Sequence, residues 1–189
     1  SKILFTMHGG GRDAEGIRDN TIAKSNEYNF IVIAPKFSTE NFPLGDGYNL
    51  GNVYEDGDNP STTTLNNEEE WSFSVIEPLF DSVVSALSLT EEKYNLFGFS
   101  AGAQFVHRFI LFKPNARFEK VVAGAAGWYT VPDTSIAFPY GLNNSILMNT
   151  NFNNLLSKDL YIQVGALDNN PNAVGLRRNE YADAQGLNR

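Results

Sequence analysis

Cysteine is absent from the 189 residues. Disulfides, thiolate nucleophiles and cysteine-ligated zinc are thereby excluded. The redox compartment stays open, because a cysteine-free chain folds in reducing or oxidising surroundings. Histidine is nearly absent too: only His8 and His107 occur. Two histidines so far apart, with no His-Glu-x-x-His pattern, give no expectation of a metal site. No cofactor is expected either. No apolar run approaches the roughly 18 residues of a membrane span. Basic residues are the minority, 14 against 22 acidic, for a net charge of −8. A surface of that sign repels phosphate backbones and anionic lipid, so neither nucleic acid nor membrane is an expected partner. There is no internal repeat and no low-complexity tract. The chain opens on Ser1 rather than Met and enters a strand-like segment at once, so a processed or trimmed start is expected.

What is present suits one packed domain over 1–189. Hydrophobic residues make up 42% and aromatics 13%, enough for a sizeable core. Short apolar runs at 2–7, 30–35, 94–99, 120–127 and 159–166 read as buried strands. Helical patterns fall between them, at 17–28, 66–88 and 101–113, with a polar one at 172–189. In 66–88 the apolar residues Phe73, Ile76, Phe80, Val83, Val84 and Leu87 keep helical spacing, and Pro78 predicts a kink or a restart. Buried strands alternating with helices predict an α/β fold: a mostly parallel central sheet with helices on both faces. Residues 36–67 are polar and rich in Gly, Asn, Asp and Thr. The part from 45 to 58 is expected to be a mobile surface loop that could reach substrate. Its glycine and acid spacing fits neither a dinucleotide loop nor a calcium loop, since Leu50, Pro60 and Ser61 stand where those need glycines or a ligand. Asn143-Asn144-Ser145 is a glycosylation triplet of a kind common by chance.

Three motifs carry chemistry. Gly98-Phe99-Ser100-Ala101-Gly102 is G-x-S-x-G, with an apolar strand before it and an apolar-periodic helix after it. Small residues two before and two after the serine let strand and helix close on a sharp turn that presents the hydroxyl above a helix N-terminus. Upstream, a strand ends in His8-Gly9-Gly10-Gly11. Glycines there let backbone N–H groups turn toward a developing oxyanion, and Gly10, Gly11 and Ala101 are the expected donors. Gly11 to Gly16 has phosphate-loop spacing, but Ile17 and Arg18 replace the required Lys and Ser/Thr. The third motif is Asp168, at the end of a late strand, where a carboxylate can orient a histidine. Asp133 competes for that role. Trp128 and Tyr129, after the fourth strand, are candidate substrate-pocket residues.

In this order the motifs resemble the α/β-hydrolase superfamily, in its esterase/lipase-like members with an H-G-G-G loop. "GFSAGAQFVHRF", "AGWYTVPD" and "YIQVGALDNNPN" resemble the poly(3-hydroxybutyrate) depolymerase and feruloyl-esterase-like branch. The resemblance implies the α/β-hydrolase fold and a serine ester hydrolase acting on a small or polymeric ester. It also implies the order serine, acid, histidine, yet no histidine follows Asp168. His8 belongs to the oxyanion loop. His107 lies two helical turns from Ser100, too far to reach its hydroxyl. The base is therefore expected beyond residue 189, in a domain incomplete at both ends. A catalytically inactive binding protein on this scaffold and a serine peptidase or amidase are the alternatives.

Overall fold

The structure, a computed structural model, describes residues 2–186. Five strands form one all-parallel sheet: β1 (Lys2–Met7), β2 (Phe30–Ile33), β3 (Tyr94–Phe99), β4 (Phe118–Gly124) and β5 (Asp159–Gln163), in the order β2-β1-β3-β4-β5. Five α-helices accompany them: α1 (Ala14–Asp19), α2 (Ile22–Tyr28), α3 (Ile76–Ala86), α4 (Ala101–Phe112) and α5 (Glu180–Gln185). No helix among the described residues is long and apolar enough to cross a membrane.

The strand order explains where the helices go. From β1 the chain moves one way to β2; every later strand is added in the opposite direction. Parallel crossovers are right-handed, so reversing the direction reverses the face. The connection carrying α1 and α2 therefore lies on one face, and α3 and α4 lie on the other. The reversal falls between β1 and β3, and the crevice beyond the carboxyl ends of such neighbouring strands is where open α/β sheets bind ligands.

Several elements differ from the sequence reading. The pattern at 17–28 is two short helices divided at Asn20–Thr21. Over 66–88 the chain makes two 3₁₀ turns, Glu68–Glu70 and Ser72–Val75, before α3 begins at Ile76. Pro78 is the third residue of α3, in the first turn, where a missing N–H costs nothing. Of 172–189, only Glu180–Gln185 is helical, and the last three residues lie outside the described ones.

The segment 45–58 differs more substantially. It is packed rather than loose: Tyr48, Leu50, Val53 and Tyr54 are buried in the core, and Tyr54 bridges to Leu65. Tyr48 and Phe37 lie on Phe105, with ring centroids 5.4 and 5.2 Å away; Phe73 meets it edge-on at 4.9 Å. These aromatics cover α4 around Phe105. That is why ten of its twelve residues are buried and why the helix is apolar nearly all round.

Candidate active site

Ser100 forms the corner between β3 and α4, with φ 56° and ψ −115°. A side chain at positive φ is strained, at a cost of about 1–3 kcal/mol. Packing on both sides enforces it. A Cβ on Gly98 would overlap the backbone of Gly102, and a Cβ on Gly102 would overlap the carbonyls of Met7 and His8. The Ser100 N–H is tied to the Gly124 carbonyl at 2.9 Å, which fixes the corner to the end of β4. Within α4, the first amide to find a helical partner is that of Gln104, bonded to the Ser100 carbonyl at 3.1 Å. The amides of Ala101 to Ala103 thus open the helix toward the corner.

The glycine loop after β1 lies against this corner. A Cβ on Gly9 would stand 3.7 Å from the Ser100 Cβ. The turn closes with the Arg12 N–H on the Gly9 carbonyl at 3.0 Å, leaving the Gly10 and Gly11 amides outside that bond. A side chain at Gly10 or Gly11 would meet nothing within 4 Å. Neither glycine is demanded by crowding.

His8 holds this loop in place. It is fully buried. Its Nε2 accepts the Phe37 N–H at 3.1 Å, and its Nδ1 faces the Gly9 carbonyl at 3.0 Å. One nitrogen must accept and the other donate, so the ring is the neutral Nδ1–H tautomer. Burial, ahead of the nearby Arg12 charge, lowers its pKa below the ordinary histidine value. The Tyr48 hydroxyl donates to the His8 carbonyl at 2.7 Å. His107 repeats the arrangement: Nε2 accepts the Thr130 N–H at 3.0 Å, and Nδ1–H donates to the Ala103 carbonyl at 2.9 Å. Burial and the Arg108 charge push its pKa well below the ordinary value. Both histidines are neutral backbone staples, and neither has a nitrogen left to take a proton from Ser100.

A cleft of about 410 Å³ opens here, lined by Gly10, Arg12, Pro43, Leu44, Tyr48, Asn49 and Ala101 among others. It joins the glycine loop and the start of α4 to the 39–49 segment. Sequence reasoning singled out Gly10 and Ala101 but missed Arg12 and the individual residues of 39–49. Arg12 followed the glycines directly, and its position next to them was the only available signal.

The remaining candidates stand outside this cleft. Trp128 is buried between two cations, Arg108 at 4.1 Å and Arg177 at 5.3 Å from its ring. Arg108 is fully buried. It donates to Thr130 Oγ1, the Asn49 carbonyl and Gln104, and its Nη2 has no partner. Burial lowers its pKa to about 9. Tyr129 packs on His107 at 5.1 Å, and its backbone is paired with the Gln185 amide. Asp168 closes a turn after β5, its N–H on the Gly165 carbonyl at 3.0 Å. It is half-buried, at the same end of the sheet as Ser100. Asp133, its competitor, spends one carboxylate oxygen on the Ser135 N–H and hydroxyl; these bonds lower its pKa.

Two solved structures superpose on nearly the whole chain. Poly(aspartic acid) hydrolase-1 from Sphingomonas sp. KT-1 is 39% identical, with a TM-score of 0.90 over 100% of this chain and 69% of its own. The chain belongs to the α/β-hydrolases. A second similar structure is LpqC, a poly(3-hydroxybutyrate) depolymerase from Bordetella parapertussis. It is 28% identical, with a TM-score of 0.86 over 99% of this α/β-hydrolase and 61% of LpqC. The chain thus spans between three fifths and seven tenths of these two proteins. No family model matches it, and no curated protein does.

Proposed function

We propose that this α/β-hydrolase cleaves carboxylic esters through an acyl-enzyme on Ser100. The observation that carries the proposal is the serine at positive φ on a strand-to-helix corner, with an amide-bearing glycine loop against it. Ser100 Oγ attacks the acyl carbonyl. The N–H groups of Gly10, Gly11 and Ala101 hold the oxyanion, where each donor is worth about 10²–10³ in rate. Asp168 orients a histidine, which takes the serine proton and returns it to the leaving alcohol; water then releases the acid.

That histidine is assigned to sequence beyond residue 189. The commitment of both His8 and His107 to backbone groups supports the assignment. Substrate contacts fall to the 39–49 wall rather than to Trp128 and Tyr129, which do not line that cleft.

The test is labelling of the full-length protein with a fluorophosphonate. Ser100 takes up the probe, and Ser100→Ala abolishes both labelling and turnover of p-nitrophenyl esters. An unlabelled Ser100 in a folded full-length protein overturns the proposal. Amide cleavage is a second reading, favoured by the 39% identity to a hydrolase of poly(aspartic acid), an amide-linked polymer. Matched ester and amide substrates separate the two readings.

A further inference from the structure

Four of the described arginines hold a carboxylate: Arg18 pairs with Asp19, Arg117 with Glu77 and Asp81, Arg177 with Asp58, and Arg178 with Asp183. Two hold none. Arg108 is sealed in the interior. Arg12 lines the cleft that begins at Gly10 and Ala101.

The Arg12 side chain is firmly placed. Nη1 donates to the Phe37 carbonyl at 2.8 Å; Nη2 donates to the Phe42 and Leu44 carbonyls at 3.0 and 2.8 Å. The guanidinium carbon sits 4.4 Å above the Tyr48 ring. All these partners are neutral, so they fix the group without cancelling its charge. Burial lowers its pKa from the usual guanidinium range, and no carboxylate counters that. The neighbouring Asp13 carboxylate is turned away, accepting the Gly16 N–H at the start of α1. Three of the five guanidinium N–H donors are used, which leaves two for a ligand. In a protein of net charge −8, a fixed cation without a counter-ion stands beside the amides proposed to hold the oxyanion.

We propose that Arg12 is the specificity-determining residue of this site: it receives a carboxylate that the substrate carries within a few bonds of the scissile carbonyl. The substrate class is then an anionic acyl compound rather than a neutral one. The inference rests on the serine-hydrolase reading for the location of the reacting carbonyl. It does not rest on it for binding.

Two esters of one acid make the test: p-nitrophenyl hydrogen adipate, which is anionic, and its methyl ester, which is not. A charge-assisted hydrogen bond in a partly dry cleft favours the anionic ester by about 10–100-fold in kcat/KM. Arg12→Gln brings that ratio to about one, and Arg12→Lys keeps part of it. The ratio is the decisive readout, since loss of the Arg12 bonds to 37–44 for structural reasons lowers both rates together and leaves the ratio alone. An equal ratio in wild type and Arg12→Gln, or a wild-type preference for the methyl ester, overturns the inference. The same two esters are titrated calorimetrically against Ser100→Ala, which needs no turnover. Tighter binding of the anionic ester there, lost in Ser100→Ala/Arg12→Gln, upholds the carboxylate site even if neither ester is hydrolysed by the wild type. Equal binding of both esters overturns it, whatever Ser100 does.

Discussion

His107 Nε2 accepts the backbone N–H of Thr130 at 3.0 Å. Together with the Arg108 Nε–H on Thr130 Oγ1 at 2.9 Å, this bond fixes the start of the loop after β4 to the middle of the helix that Ser100 begins. Replacing His107 with Ala leaves the buried Thr130 N–H without an acceptor and frees the Ala103 carbonyl. The expected loss of stability is about 2–4 kcal/mol, read by denaturant unfolding. His107→Gln, which can still accept that N–H, recovers part of it. Turnover per folded molecule stays within a few-fold of wild type in both. A fall of several orders of magnitude would make His107 the base.

Both histidines also predict how stability responds to acid. His8 and His107 are neutral in the folded protein, with pKa values lowered chiefly by burial. Unfolded, each titrates near 6.5. Below that value the unfolded chain binds more protons than the folded one, so stability rises with pH and falls as pH is lowered through 6.5. Thermal unfolding between pH 7.5 and 5 shows the loss, and the slope is shallower in His107→Gln. A melting temperature flat over this range would contradict the neutral assignment.

The glycines divide into two kinds with opposite expected phenotypes. Gly98→Ala and Gly102→Ala force a Cβ into backbone and cost more than about 3 kcal/mol; soluble yield and unfolding midpoints both drop. Gly10→Ala meets no atom within 4 Å, so its stability stays within about 0.5 kcal/mol of wild type. Its methyl stands in the cleft, so kcat/KM falls instead.

Ser100→Gly separates strain from chemistry. Glycine tolerates φ 56°, recovering part of the roughly 1–3 kcal/mol of backbone strain against an entropic cost of about 0.5–1. The variant is inactive and more stable by about 1 kcal/mol. Ser100→Ala is equally inactive without that gain, because its Cβ keeps the strain. Paired calorimetric melts of the two variants check it.

The strands, the parallel sheet and the serine corner were legible because each depends on a short, local rule. Parallel strands are apolar runs, although β5, expected to be buried, is exposed at every residue, and a close strand-to-helix approach leaves no choice but glycine. The wall of the cleft was not legible. Its one buried aromatic, Tyr48, stands with Val53 and Tyr54 beyond it at no regular period in a polar stretch, so nothing local shows that each one inserts into the core. The contacts of Arg12 depend on residues 25 to 32 positions later returning to it, which spacing cannot reveal. The segment 172–189 misled for a related reason: its polar composition suits a helix, while turns around Gly175, at φ 79°, confine the helix to Glu180–Gln185.

The crowding around Gly98 and Gly102 also bears on how such chains should be compared. Both glycines are required by the packing of β3 on α4 and of α4 on the end of β1, whether or not the serine between them reacts. A descendant that had lost its catalysis would be under the same pressure to retain them. The glycines of the pattern are therefore a record of architecture that can outlast the reaction. Of the five-residue pattern, only the serine at its corner is left to report on chemistry.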